Sequence, residues 1–205
     1  MFKIKKDLTM RTLPLALTLA LSSLTFSGLA TADWSLQQPS SVHFLTSKNT
    51  HITEVHRFKS FDAKVKDSGY TKIDIDLSSV DTRIGIRDER MEEHLFEVSR
   101  FSNASFEAEI PATVLAQASS GKQTRFELSG KVMLHGESAP ASCQVIISPN
   151  TDKSITVSSV TPMLIDANNF NLVAGINKLQ EIAGLKSITH TVPVTFSLTF
   201  KADQK

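Results

Sequence analysis

From Val192 to Phe200 every second residue is apolar (Val192, Val194, Phe196, Leu198, Phe200), and the residues between are mainly hydroxylic. A two-residue period sends alternate side chains to opposite faces of an extended strand, so this segment has one face for a core and one for water. The pattern recurs. Ile73, Ile75 and Leu77 alternate with Lys72, Asp74 and Asp76, and Phe106, Ala108 and Ile110 with Ser105, Glu107 and Glu109. Phe126 and Leu128 lead through Gly130 to Val132 and Leu134, opposite Arg125, Glu127, Ser129 and Lys131. Val42 with Phe44, Phe58 with Phe61 to Val65, the run around Cys143, and Ile155 with Val157 bring the count to about eight strands. Turn-forming residues separate them at Asp67-Ser68-Gly69, Ser119-Ser120-Gly121-Lys122, His135-Gly136-Glu137 and Pro149-Asn150-Thr151-Asp152. Short connections between alternating strands make hairpins, hence an antiparallel meander. Such a sheet either packs on a second sheet or curls and closes, and closure removes its exposed edges. The pattern alone leaves barrel and sandwich open.

Two segments break the alternation. Ile86, Met91 and Leu95 lie at helical spacing in a charged stretch from Ile86 to Phe96. Leu172, Ile176, Leu179 and Ala183 form one helical stripe between Asn168 and Leu185, with Gly184 as a stop and Asn168 or Asn169 as a cap. Two short helices on a β framework are therefore expected.

Lys3, Lys5, Lys6 and Arg11 precede an apolar stretch from Leu13 to Leu24, followed by Ala30-Thr31-Ala32. That order is how a secretory signal peptide is built, with cleavage after Ala32. Pro14, Thr18, Ser22 and Ser23 interrupt the stretch, against the roughly 20 largely apolar residues of a spanning helix. The leader holds four basic residues and Asp7, so the net charge of +1 becomes −2 for the remaining 173 residues. A basic nucleic-acid surface is thus not expected. Cys143 stands alone, so no intramolecular disulfide can staple the fold, and its β-prone surroundings read as a buried small apolar residue.

The search for catalytic chemistry is mostly negative. There is no G-x-S-x-G, phosphate loop or H-x-x-x-H helix. His43, His51 and His56 do not share one strand face, and read as partly exposed polar residues rather than metal ligands. Asp88 with Glu92 and Glu89 with Glu93 could be proposed as acid–base pairs. Arg87 and Arg90 in the same turn would lower their pKa values, so a solvated helix is the better reading. No catalytic residue, metal or cofactor is assigned. What remains is the apolar interior, rich in Phe (12, against one Tyr and one Trp). A barrel of about eight strands holds either side chains or one small ligand.

The run Val80-Asp81-Thr82, Ile86-Arg87-Asp88-Glu89-Arg90-Met91, Phe96-Glu97-Val98, Phe101 and Phe106 resembles the signature of the YceI-like family. Ser41-Val42-His43-Phe44 and Phe58-Lys59-Ser60-Phe61 look like its opening strands, Leu134-His135-Gly136 like its turn, and Val192 to Phe200 like its closing strand. The resemblance spans residues 34–200. Departures are Lys48-Asn49-Thr50-His51, Arg90-Met91 and Ser102-Asn103, where the family often has a Lys-His pair, a His-Leu pair and a proline.

The resemblance implies an all-β fold, a lipocalin-like extended antiparallel barrel in the periplasm. It also implies a pocket for a polyisoprenoid or other long-chain amphiphilic lipid, held for transport, storage or sequestration. Transient membrane contact and a homodimer are compatible with it. The inward set Phe44, Ile73, Ile75, Phe106, Phe126, Leu128, Val194, Phe196 and Leu198 is the expected pocket lining, with Arg87 and Asp88 fixing a helix on the rim. The rival readings are an exported hydrolase or metal enzyme using the histidines or carboxylates, and a solid-core interaction module.

Overall fold

The structure, a computed structural model, describes residues 33–203; the leader expected over residues 1–32 lies outside them. The strands are β1 (Trp34–Lys48), β2 (Ile52–Phe58), β3 (Phe61–Val65), β4 (Tyr70–Asp76), β5 (Val80–Asp81), β6 (Asn103–Glu109), β7 (Thr124–Leu134), β8 (Glu137–Pro149), β9 (Ile155–Ser159), β10 (Met163–Asp166) and β11 (Thr191–Ala202). Eight of them close a ring in the order β1-β3-β4-β6-β7-β8-β9-β11, with β11 pairing back onto β1. Every pairing in the ring is antiparallel. The barrel is the solution adopted, as the family resemblance implies.

The other three strands lengthen one end. β1 meets β3 at Trp34 and Ser35, then β2 from Val42 to Lys48. β11 meets β9 from Ser197 to Phe200 and β10 from Thr191 to Val194. In each case one strand bends and resumes. Lys59 N–H donates to the Ser79 carbonyl (3.0 Å) and Asp76 N–H to the Ser60 carbonyl (3.1 Å), holding the first bend. Pro162, which has no N–H to give a ladder, sits in the second. β1 and β11, at 15 and 12 residues, therefore run the full height of the barrel. β7 and β8 join through His135 and Gly136, both at positive φ (52° and 80°), as a two-residue hairpin with right-handed strand twist requires.

Among the described residues three α-helices form rather than two: α1 (Gly85–Arg90), α2 (Ala112–Ser119) and α3 (Val173–Ile182). α2 escaped the pattern because its buried stripe is only Val114 and Ala118, one pair four apart. α1 widens into a π turn over Met91–Leu95. The cap before α3 also differs from expectation: Asp166, not Asn168 or Asn169, accepts the Asn168 N–H (3.0 Å), and it caps a short 3-10 turn over Ala167–Phe170. Gly184, at φ +60°, does follow α3.

The ring is filled at one end. Val65, Val145, Ile147, Leu198 and Phe200 are all fully buried there, and Val114 and Ala118 of α2 pack into the same cluster. At the other end the connections from Leu77 to Phe96 and from Ala167 to Thr189 gather over the strand ends.

Candidate ligand-binding cavity

At that second end the barrel is hollow. A cavity of about 490 Å³ lies inside β1, β4, β6, β7, β10 and β11 and beneath α1 and α3, within the range of small-ligand sites. Its deep wall is Val42, Ile73, Ile75, Phe106, Val132, Met163 and Phe196. Of the nine expected positions, Phe44, Ile73, Ile75, Phe106, Val194 and Phe196 line the cavity. Phe126, Leu128 and Leu198 do not. They lie in the filled half, where Leu128 and Leu198 are buried and Phe126 packs against the same core. Alternation places a residue on the inner face but says nothing of its height along the barrel, which is why these three were misplaced.

The β1–β2 hairpin carries a gradient. Along the inner face of β1 run Val42, Phe44, Thr46 and Lys48, and their partners on β2 are Phe58, His56, Glu54 and Ile52. All but Ile52 line the cavity. The wall thus passes from hydrocarbon through aromatic rings to a hydroxyl and then to charge. Phe44 contacts both neighbours, with ring centroids 5.1 Å from Phe58 and 5.2 Å from His56. Phe44 is the last apolar residue that the alternation marks on this face before the wall turns polar. Carrying the same period two steps further reaches Thr46 and Lys48, and reading Glu54-x-His56-x-Phe58 as the return strand finds the rest.

The polar end is an ion-pair network. Glu54 Oε2 accepts from Lys48 Nζ (2.7 Å) and Arg87 Nη1 (2.9 Å). The Lys48 bond, ahead of the Arg87 charge, holds the Glu54 carboxyl below the usual carboxylate range despite its partial burial. Arg87 Nη2 donates to the Thr82 carbonyl (2.7 Å), and Asp88 Oδ1 accepts from Thr82 N–H (2.9 Å) and from the Thr82 hydroxyl. Arg87 and Asp88 therefore do fasten α1 to the rim, but Arg87 also forms cavity wall. His56 is the clearest correction: it is 4% exposed, not partly exposed. Its Nε2 lies 2.9 Å from the Thr46 hydroxyl. Burial, then the nearby Arg87 charge, pushes its pKa down, so the ring is neutral near pH 7. His56 Nδ1 and Arg87 Nε are buried without a hydrogen-bond partner, each an unmet group of a kind that costs about 1–3 kcal/mol.

The mouth is covered from two sides. Leu172, Ile176 and Leu179 of the α3 segment and Met91 and Leu95 of the π turn face inward. The segment after α3 is tied to the hairpin tip: Asn49 N–H donates to the Ser187 carbonyl, and Thr189 N–H to the Ser47 carbonyl (both 2.9 Å). Ile84 and Ile86 line the opening and remain largely exposed.

The remaining chemical candidates do not assemble. His43 faces the opposite side of β1, paired with Arg57, and His51 is exposed in the turn. Among the described residues no three His, Cys, Asp or Glu converge on a metal-sized space. Cys143 is buried, which pushes its thiol up to about 11 and leaves it unreactive. No helix of the described residues is long and apolar enough to cross a membrane.

The domain profile of the YceI-like family matches residues 34–200. The chain belongs to the YceI-like family. Among solved structures it is similar to a polyisoprenoid binding domain from Saccharophagus degradans implicated in plant cell wall breakdown, at 33% identity and a TM-score of 0.78, covering 83% of this chain and 98% of that one. It shares the fold of Burkholderia cenocepacia BcnA, at 21% identity and a TM-score of 0.61 over 78% of this chain and 95% of that one. It shares it also with the Campylobacter jejuni YceI protein, at 13% identity and 0.53 over 73% and 85%. No curated protein matches the chain. One of these neighbours is by its description a polyisoprenoid binding domain, and the cavity of this YceI-like chain is walled mainly by apolar side chains.

Proposed function

We propose that this YceI-like protein is an exported carrier that holds a polyisoprenoid or similar long-chain lipid in the hollow half of its barrel, for transport or sequestration. The observation that carries the reading is the division of the ring into a solid half and a hollow, apolar half. A wall of Val, Ile, Phe and Met offers an alkyl or isoprenoid chain dispersion contact and removal from water, and little that could attack it. Burying ~500 Å² of hydrocarbon gains on the order of 12 kcal/mol, which offsets association costs of about 4–15 kcal/mol. The basic, apolar, A-x-A order of residues 1–32 supports export to the periplasm. The 33% identity to a polyisoprenoid binding domain supports the chain chemistry. The exposed Ile84 and Ile86 at the mouth suit brief contact with a membrane during loading.

The test is extraction of the purified protein with organic solvent and mass spectrometry of what is released. An isoprenoid or other long-chain lipid in stoichiometric amount is expected. Ala104 lines the cavity, so Ala104→Trp should fill it and abolish lipid recovery while the protein still melts cooperatively. Undiminished lipid recovery from the folded variant would sink the assignment of this cavity.

A further inference from the structure

At its deep end the cavity stops on a side chain and not on backbone. Phe106 is buried and lines the cavity beside its cross-strand neighbours, Ile73 on β4 and Val132 on β7. Its ring does not stay beside them. A Cβ built on Gly130 would lie 2.6 Å from Phe106 Cζ and 2.8 Å from its Cε2. Gly130 is the partner of Ala108, the next inward position on β6. Ala104 lines the cavity and Ala108 does not, so the ring leans away from the mouth and over the Gly130 backbone. A glycine inside a strand is what lets another group come this close to the sheet, and a Cβ there would also meet the Glu107 carbonyl oxygen at 2.3 Å. The positions beside Gly130 are small as well: Ala108 on one side and Ala141 of β8 on the other. One inward step further, Leu128 and Cys143 are buried in the filled half. Side chains as small as those at 108, 130 and 141 leave room that a close-packed interior must fill, and the Phe106 ring fills it.

Resting on the reading of the cavity as a lipid site, we propose that Phe106 sets the length of chain the barrel accepts. Its ring stops the buried end of the ligand, and the space it takes over Gly130 is the part of the interior that a longer chain would need. A phenyl ring and an isoprene unit are close in carbon count, so removal of the ring opens room for about one further unit. A unit that cannot pass the ring stays toward the mouth, where less of its surface leaves water and it adds little to affinity.

The experiment is displacement of the fluorophore N-phenyl-1-naphthylamine from the purified protein by geraniol, farnesol, geranylgeraniol and geranylfarnesol, alcohols that differ by one isoprene unit each. In the wild type, affinity is expected to climb with each unit and then level off. Phe106→Ala should move that limit out by one unit. The ratio of affinities between the first chain beyond the wild-type limit and the chain before it should rise at least about tenfold. Adding Ala108→Leu to Phe106→Ala refills the space from the neighbouring position and should return the limit to its wild-type length, a reversal that misfolding cannot produce. Phe106→Leu keeps an apolar side chain in the core but no ring over Gly130. It should raise the same ratio about threefold, and it carries the test if Phe106→Ala does not fold. An unmoved limit in the Phe106 variants, a uniform weakening of all four chains, or a wild type with no limit would overturn the length proposal and leave the lipid cavity standing. Failure of all four alcohols to displace the fluorophore would overturn the lipid reading itself.

Discussion

His56 shows how much one side chain can report. It sits on an inner strand face with Arg87 beside it, and both burial and that charge favour the neutral ring. Its folded-state pKa is therefore below the ordinary value of about 6.5. As pH falls through that value the unfolded chain takes up the proton first, so this group's contribution to stability is present above about pH 6.5 and declines below it. Lys48, Glu54, Arg87 and Asp88 set the field around it, with Glu54 and Asp88 acting against the shift. Urea unfolding should show wild type losing stability between pH 7.5 and 5.5, and His56→Phe losing less; equal losses would remove His56 as the cause. Parity already sets His56 apart from His43 and His51, but its burial was not legible in the sequence; the register of β1 against β2 turns it inward, opposite Phe44.

At the scale of elements, the helices over the mouth depend on a close approach. A Cβ added to Gly175 on α3 would lie 2.5 Å from the His94 carbonyl oxygen and 2.9 Å from Leu95 Cα, both backbone atoms of the π turn. In an exposed helix Gly→Ala stabilises by about 1 kcal/mol, but overpacking costs roughly 1–3 kcal/mol. Gly175→Ala is thus expected to lower the melting temperature and to speed amide exchange across Val173–Ile182 while leaving the filled end protected. A rise in melting temperature with unchanged exchange would show that the two segments can part freely. The stripe of α3 was readable in Leu172, Ile176 and Leu179. The contact through Gly175 was not, because a glycine in a helical pattern carries no hint of what passes over it.

For the molecule as a whole, alternation made the barrel legible and the family signature made its closure so, yet the boundary between solid and hollow halves had no counterpart in the pattern. Phe126, Leu128 and Leu198 obey the same period as Phe106 and Phe196, and differ only in height. Substitution should separate the two populations. Leu198, 1% exposed in the solid half, is expected to cost about 2–5 kcal/mol on truncation to Ala without changing lipid stoichiometry. Loss of lipid at full occupancy of the folded state would place it on the ligand wall after all. Closure has a temporal consequence too. Trp34–Phe44 finds its ring partner in Val194–Ala202, a hundred and fifty or more positions later in the chain. A ribosome delivering the polypeptide from its amino end leaves that first strand with an unsatisfied edge until residue 202 emerges. Pairings of such long sequence separation form slowly, so the nascent form must be kept from self-association for the whole of its delivery.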